Sequence, residues 1–182
     1  MIDLVELRQA LHEADLDGWL LFAFKGLNPV ATRVLGLSGL NTRRLFALFP
    51  REGEPVVIAH KIELHGLENF PGRVVPYARW SELNQALGHA VAGKTLGMEI
   101  SPRDAVPYLD RVPHGVVQLL QSMGAKILPS GTWSPASPRD GARRSSRIIS
   151  SPRRFWPTWP GAVCSRPSGR PVRSPRRPCR PG

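Results

Sequence analysis

The chain has 182 residues and a formal net charge of +11, with 25 basic residues against 14 acidic ones. This charge is unevenly placed: residues 1–130 hold 13 basic and 13 acidic side chains, whereas residues 131–182 hold 12 arginines, no lysine and one acid, Asp140. The balanced first part gives no electrostatic reason to expect nucleic acid or an anionic membrane as its partner. No apolar run reaches the ~18–20 residues that cross a bilayer, and the amino terminus is acidic. We therefore expect a cytoplasmic protein with no membrane partner.

The first predicted helix begins at Asp3, with Glu6 three residues further on in capping-box spacing. Its apolar face comprises Leu4, Leu7, Leu11 and Ala14. The continuous apolar run 19–24 predicts a buried central strand. Residues 28–35 predict a short helix with Pro29 in its first turn, where proline is tolerated.

Further apolar runs predict five more strands, at 44–49, 55–59, 73–77, 94–100 and 125–128. The linker 50–54 between the first two of these runs has a length that suits a hairpin loop. Two amphipathic stretches, 81–92 and 113–123, predict helices, and each is followed by a glycine. This alternation of strands and helices, with one hairpin inside it, predicts a three-layer α/β domain with a mixed sheet over residues 1–130.

One polar cluster invites a metal hypothesis. His60, Glu63 and His65 lie in the sequence H-K-I-E-L-H. Zinc-binding helices place two histidines at i and i+4, so that both point the same way. A spacing of five residues instead separates the side chains by about 140° around a helix. We therefore interpret the cluster as polar residues at the exit of a strand and predict no metal site.

No catalytic constellation is visible elsewhere in the chain, and we expect no cofactor in it. Trp80, beside Arg79 and just before a predicted helix, has two interpretations. We favour packing against the core or as a helix staple over a contact at the surface.

Several stretches resemble the amino-terminal domain of the creatinase, prolidase and aminopeptidase P family, and they run in the order of that family. They are D-G-W-L-L-F at 17–22, N-P-V-A-T-R-V-L-G-L at 28–37, R-R-L-F-A-L-F-P at 43–50, G-E-P-V-V-I-A-H-K-I-E at 53–63 and M-E-I-S-P-R-D-A-V-P-Y-L-D-R-V at 98–112. The resemblance covers nearly all of residues 1–130. It implies a ribonuclease-H-like α/β domain that precedes a larger catalytic domain of the pita-bread type.

In that family, the catalytic domain binds two divalent metal ions (Mn, Co or Zn) through two Asp, one His and two Glu, and hydrolyses the peptide bond before proline. None of these ligands can be matched to this sequence, so we expect the chain alone to be inactive. Peptides are implied as substrates of the full-length parent only. The resemblance also implies a role in closing the substrate channel and in forming a homo-oligomer. His60, Glu63, His65 and Trp80 are the candidate channel or interface residues.

Residues 131–182 have three interpretations: an arginine-rich arm that binds nucleic acid non-specifically, an inert disordered extension, or translation in a shifted reading frame. We favour the third, because arginine without lysine, beside excess proline, serine and tryptophan, is typical of G+C-rich DNA read out of frame. Regrouping the codons for residues 132–150 by one base permits a helical sequence similar to the family's linker. We therefore predict a disordered tail, with a neutral α/β domain fused to a basic nucleic-acid-binding module as the alternative.

Overall fold

A computed structural model of the protein describes residues 2–38 and 41–132. Six strands form one sheet in the order β4-β3-β2-β1-β5-β6. The strands are β1 (Gly18–Ala23), β2 (Leu45–Pro50), β3 (Val56–His60), β4 (Arg73–Tyr77), β5 (Thr95–Met98) and β6 (Lys126–Pro129). The helices are α1 (Leu4–Glu13), α2 (Pro29–Leu35), α3 (Trp80–Val91) and α4 (His114–Ser122). Short 3-10 segments cover Lys61–Gly66, Pro102–Asp104, Pro107–Leu109 and Ser130–Thr132.

The sheet is mixed because β2 runs antiparallel to both of its neighbours. It pairs with β1 in a register that places Phe22 opposite Phe46, and with β3 in a register that places Phe46 opposite Ile58. All other pairings, β3 with β4, β1 with β5 and β5 with β6, are parallel. Five of the six strands therefore end at the same edge of the sheet, and β2 begins there.

Two apolar cores lie on opposite faces of the sheet. Leu20 and Phe22 of β1 point into the core that α3 and α4 cover, which includes Leu83 and Leu120. The intervening residues of β1 point into the core that α1 and α2 cover, among them Trp19. Every residue of β1 is buried, as the continuous apolar run of this strand predicts. The predicted three-layer mixed-sheet α/β fold is confirmed.

Capping side chains fix where the first two helices begin. The Asp3 carboxylate accepts hydrogen bonds from the backbone N–H groups of Val5 (2.8 Å) and Glu6 (3.3 Å). Asn28 caps α2 in the same way, and Gly36 ends that helix with a positive φ of 63°. On α1 only Leu7 and Leu11 of the predicted apolar face are fully buried, because Leu4 and Ala14 lie at the ends of the helix.

The two outer strands are short. The outer strand on one side of the sheet, β4, has five residues and contains the exposed Pro76, which has no backbone N–H. The outer strand on the other side, β6, has four residues, begins with the exposed Lys126 and ends at Pro129. Both features shorten the row of backbone donors that an outer strand presents.

Predicted and observed element bounds agree closely: 73–77 is β4 without change, and the helix predicted from residue 81 begins at Trp80. The predictions for the tail at 131–182, including its shifted reading frame, fall almost entirely outside the described residues. None of the helices in the described part of the chain is long and apolar enough to cross a bilayer.

Candidate functional site

The candidate residues lie where β3 and β4 end and β2 begins. The register of β3 and β4 pairs their last residues, His60 and Tyr77. The carboxyl ends of parallel strands are the usual place for binding sites in open α/β sheets, because the connections that leave the strands there form a crevice. The fold thus brings the segments 42–44, 60–66 and 77–82 to one edge.

His60 is the last residue of β3 and caps the 3-10 segment that follows it. Its Nδ1 accepts a hydrogen bond from the Ile62 N–H at 3.3 Å, so in the neutral ring the proton is on Nε2. The ring packs edge-on against Tyr77, with 5.2 Å between centroids. His65 lies near the end of the same segment and is exposed.

Glu63 is buried, and it holds the segment that leads into β2. Its Oε1 accepts hydrogen bonds from the Thr42 N–H (2.7 Å), the Thr42 hydroxyl (2.9 Å) and the Arg43 N–H (3.1 Å). Its Oε2 also accepts from the Arg43 N–H at 3.2 Å. A carboxylate that accepts several backbone N–H groups is a structural clamp. Glu63 therefore acts on the edge by positioning residues 42 and 43.

Tyr77 completes this clamp from β4. Its hydroxyl donates a 2.7 Å hydrogen bond to the Arg44 carbonyl. Burial is the main cause that raises the pKa of Tyr77, and the nearby Glu63 carboxylate raises it further. The phenol therefore stays protonated and keeps its role as donor.

Trp80 is the first residue of α3 and lies at the surface, with 49% of its area exposed. The Arg44 guanidinium lies over its ring, 4.4 Å from the centroid, which is a cation–π contact. The interpretation of Trp80 as a core or staple residue therefore differs from the structure. The Glu82 carboxylate accepts hydrogen bonds from the Ala78 and Arg79 N–H groups and so fixes the start of α3 beside Trp80.

The polar atoms of His60 and Glu63 at this edge are engaged inside the fold. Within residues 2–38 and 41–132 no group of three or more His, Cys, Asp or Glu side chains is arranged to hold a metal ion. His60 and Glu63 are brought together on one segment, but their acceptor atoms are directed at backbone N–H groups. The exposed side chains at this edge include Arg43, Arg44, Lys61 and Trp80.

No protein-family model matches the chain, and no curated protein sequence matches it. Several solved structures, however, are similar to it. A recombinant prolidase from Thermococcus sibiricus is similar with a TM-score of 0.57 at 16% identity, over 72% of this chain and 35% of that one. A proline dipeptidase from Streptococcus agalactiae gives 0.53 at 15% identity, over 69% and 90%. The creatinase/prolidase amino-terminal domain of an X-Pro dipeptidase from Streptococcus pyogenes gives 0.50 at 17%, over 69% and 91%.

The chain has the fold of the creatinase/prolidase amino-terminal domain. The resemblance inferred from the sequence is confirmed at the level of the fold. The match spans about a third of the Thermococcus prolidase but nearly the whole of the two streptococcal structures. The creatinase/prolidase fold therefore accounts for about 70% of this chain.

Within this creatinase/prolidase fold, a second buried carboxylate escaped the sequence analysis. Glu99, just after β5, accepts hydrogen bonds from Trp19 Nε1 (2.6 Å), Asn28 Nδ2 (2.9 Å) and Ser130 Oγ (3.3 Å). Burial is the main cause that raises its pKa, and the three donors oppose that shift. The network ties β1, the start of α2 and the end of β6 together. The feature of the sequence that could have indicated a role for Glu99 is its position as an acidic residue directly after an apolar strand.

Proposed function

We propose that residues 1–130 form the amino-terminal, non-catalytic domain of a metal-dependent Xaa-Pro peptidase, whose reaction is hydrolysis of the peptide bond before proline. The fit of the chain over 91% of an isolated creatinase/prolidase amino-terminal domain supports this assignment. The similar fit over 35% of a prolidase supports it as well, because it covers one part of a larger enzyme. The peptidase activity belongs, on this proposal, to a second domain.

The described residues do not fit the two divalent metal ions of such an enzyme. Metal ions need ligand atoms with free lone pairs, usually carboxylate oxygens or a neutral imidazole nitrogen. The oxygens of Glu63 and Glu99 accept N–H or O–H donors, and Nδ1 of His60 accepts the Ile62 N–H. We therefore derive no catalytic step for these residues.

The role that we propose for this domain is to line a substrate channel or a contact between subunits. Trp80 and His65 have exposed side chains that can touch a peptide or a second subunit. His60 and Glu63 would act indirectly, because they hold the backbone of Ile62, Thr42 and Arg43 beside these exposed residues. A homo-oligomer formed through this domain is part of the proposal.

Restoring the parent enzyme tests the assignment. We expect the purified 182-residue chain to show no turnover of Xaa-Pro dipeptides when Mn²⁺ or Co²⁺ is added. If the tail arises from a shifted frame, correcting that frame should yield a longer protein with this activity. Turnover by the 182-residue chain, or a locus with no peptidase-coding frame downstream, would contradict the proposal.

In the restored enzyme, Trp80→Ala and His65→Ala should raise KM for short peptides more than they lower kcat. Arg73→Ala is the matched control, because Arg73 is exposed at the opposite end of the sheet. Light scattering of the same proteins measures the proposed oligomer. A strictly monomeric enzyme with unchanged KM in both variants would argue against a channel or interface role.

The alternative is a neutral α/β domain that carries a basic module for nucleic acid. Its support is the 12 arginines and single acid of residues 131–182, a composition that binds phosphates without sequence preference. Strong binding at physiological salt would favour this alternative over the peptidase assignment.

A further inference from the structure

Four exposed cations lie around the ends of β3 and β4. Arg43 and Arg44 precede β2, and Lys61 and Arg79 follow β3 and β4. Antiparallel pairing of β2 with β3 carries the start of β2 to the same edge at which β3 ends. We call this surface the basic edge; it consists of Arg43, Arg44, Lys61, Ile62, Arg79 and Trp80.

The acids near the basic edge are already engaged by backbone groups. Both oxygens of Glu63 accept N–H groups inside the fold. Oε2 of Glu82 caps α3, and hydrogen bonds from Ala78 and Arg79 hold the pKa of Glu82 low, helped by Lys61. The ion pairs of Arg51 with Asp15 (3.8 Å) and Asp17 (3.4 Å) lie at the other end of the sheet. Four cations against the two carboxylates of Glu63 and Glu82 leave the basic edge with an excess of positive charge.

Apolar side chains flank these cations. Ile62 is 62% exposed and Trp80 is 49% exposed. The Arg44 guanidinium is held against the Trp80 ring, so it loses little conformational freedom when it binds a carboxylate. Aromatic residues and arginine side by side are typical of the energetic centre of protein–protein interfaces.

The positive charge of the basic edge determines which kind of molecule can bind there. Residues 131–182 carry 12 arginines and one acid, so this chain's own tail is repelled. A nucleic acid would pair with the arginines but offers nothing to the aliphatic Ile62. An acidic polypeptide supplies carboxylates for the cations and apolar side chains for Ile62 and Trp80.

We propose that the basic edge docks an acidic segment of another polypeptide, with Arg44 and Trp80 at the centre of the contact. Arg43, Lys61 and Arg79 surround this centre and attract the segment. Glu63 is the positioning residue, because it fixes the backbone of Thr42 and Arg43 beside the docking site. The proposal does not depend on the peptidase assignment, since its readout is binding and not hydrolysis.

A labelled twelve-residue peptide of four Glu-Glu-Leu repeats is a suitable probe, and its binding to the full chain is measured by fluorescence anisotropy in ~0.15 M salt. We expect Arg44→Glu to weaken binding about tenfold, because it removes the central cation and repels the peptide. Arg73→Glu is the matched control: it changes the net charge equally but lies at the opposite end of the sheet. It should change the affinity less than about twofold.

Trp80→Ala provides a second variant that leaves the charge unaltered, and it should also weaken peptide binding. Circular dichroism checks that each variant is folded. Equal losses in Arg44→Glu and Arg73→Glu would overturn the proposal, because they would indicate general attraction by the basic tail. It is also overturned if Arg44→Glu weakens binding of a single-stranded oligonucleotide as much as binding of the peptide. Self-association of the chain that Arg44→Glu abolishes would instead make a second copy the occupant.

Discussion

The indole N–H of Trp19 donates a 2.6 Å hydrogen bond to Oε1 of Glu99, which lies 80 residues further along the chain. Both side chains are buried, and the bond joins the first strand of the sheet to the residue that follows β5. Burial raises the pKa of Glu99 despite its three donors. The stability of the domain should therefore depend on the protonation of this one carboxyl group.

The first prediction concerns the pH dependence that Glu99 imposes. Its pKa is higher in the folded state than in the unfolded chain, so the folded state binds the proton more tightly. The stability that this provides is complete below the unfolded pKa of about 4.3 and is lost as the pH rises through the raised pKa. Glu99→Gln cannot titrate. As the pH rises above the unfolded value of about 4.3, the wild type should therefore lose unfolding free energy relative to Glu99→Gln.

Urea unfolding at several pH values measures this difference. Glu68→Gln is the matched control for the change from carboxylate to amide, because Glu68 is exposed in a turn. Parallel stability profiles for wild type and Glu99→Gln would show that Glu99 does not titrate differently on folding.

The second prediction concerns the Glu63 clamp. Replacing Glu63 with alanine leaves the Thr42 and Arg43 N–H groups without their acceptor. An unsatisfied buried donor costs about 1–3 kcal/mol, and these donors are partly buried, so Glu63→Ala should lower the unfolding free energy by about 1 kcal/mol. Glu68→Ala is the matched acidic control at an exposed position. Denaturant curves that coincide for the two variants would disprove the clamp.

The third prediction compares two glycines. A Cβ at Gly72 would overlap the carbonyl oxygen of Pro55, which accepts the Arg73 N–H at 2.9 Å and so is not free to move. Gly72→Ala should therefore destabilise the fold by about 1–3 kcal/mol. A Cβ at Gly88 meets no atom within 4 Å, and Gly88 lies inside α3. Gly88→Ala should stabilise by about 0.5–1 kcal/mol, because alanine loses less backbone entropy in a helix. Thermal unfolding distinguishes the two, and a shift of the same sign in both would contradict the reasoning.

The fourth prediction concerns nucleic acid. We expect weak, non-specific binding of the chain to duplex DNA, caused by the arginines of residues 131–182. Gel shifts at two salt concentrations should show the affinity falling steeply, with a log–log slope of about −0.9 per phosphate contact. Replacing Arg173, Arg176 and Arg177 with glutamine should make that slope shallower. Equivalent replacement of Arg43 and Arg79 should leave it unchanged, and a change there would place DNA on the basic edge.

The local pattern of apolar and polar residues was sufficient to predict most of the helices and strands. The run 73–77 has the same bounds as β4, and the linker 50–54 joins two antiparallel strands as its length predicts. The alternation of helices and strands also predicted the three layers, because each apolar face must be covered by another layer. The resemblance to the creatinase/prolidase family added the fold that the solved structures share.

Long-range partners could not be predicted in this way. Trp19 was assigned to the core from its apolar neighbours, but nothing in a single sequence links its N–H to an acid 80 residues away. For Trp80 a core or helix-staple position was favoured over a surface contact, whereas Arg44, which directly precedes β2, lies over the ring of the exposed indole. Glu63 was considered as a ligand because of its histidine neighbours, but its bonds to Thr42 and Arg43 depend on how β2 approaches β3.

The proline of β4 and the brevity of β6 also bear on how copies of this protein can meet. A strand from a neighbouring molecule extends a sheet only if it finds several consecutive amide donors and acceptors along the flank. Pro76 interrupts that series on one side, and on the other the flank is four residues long and ends in a second proline. Extension of the sheet by a second molecule along either outer strand is therefore disfavoured.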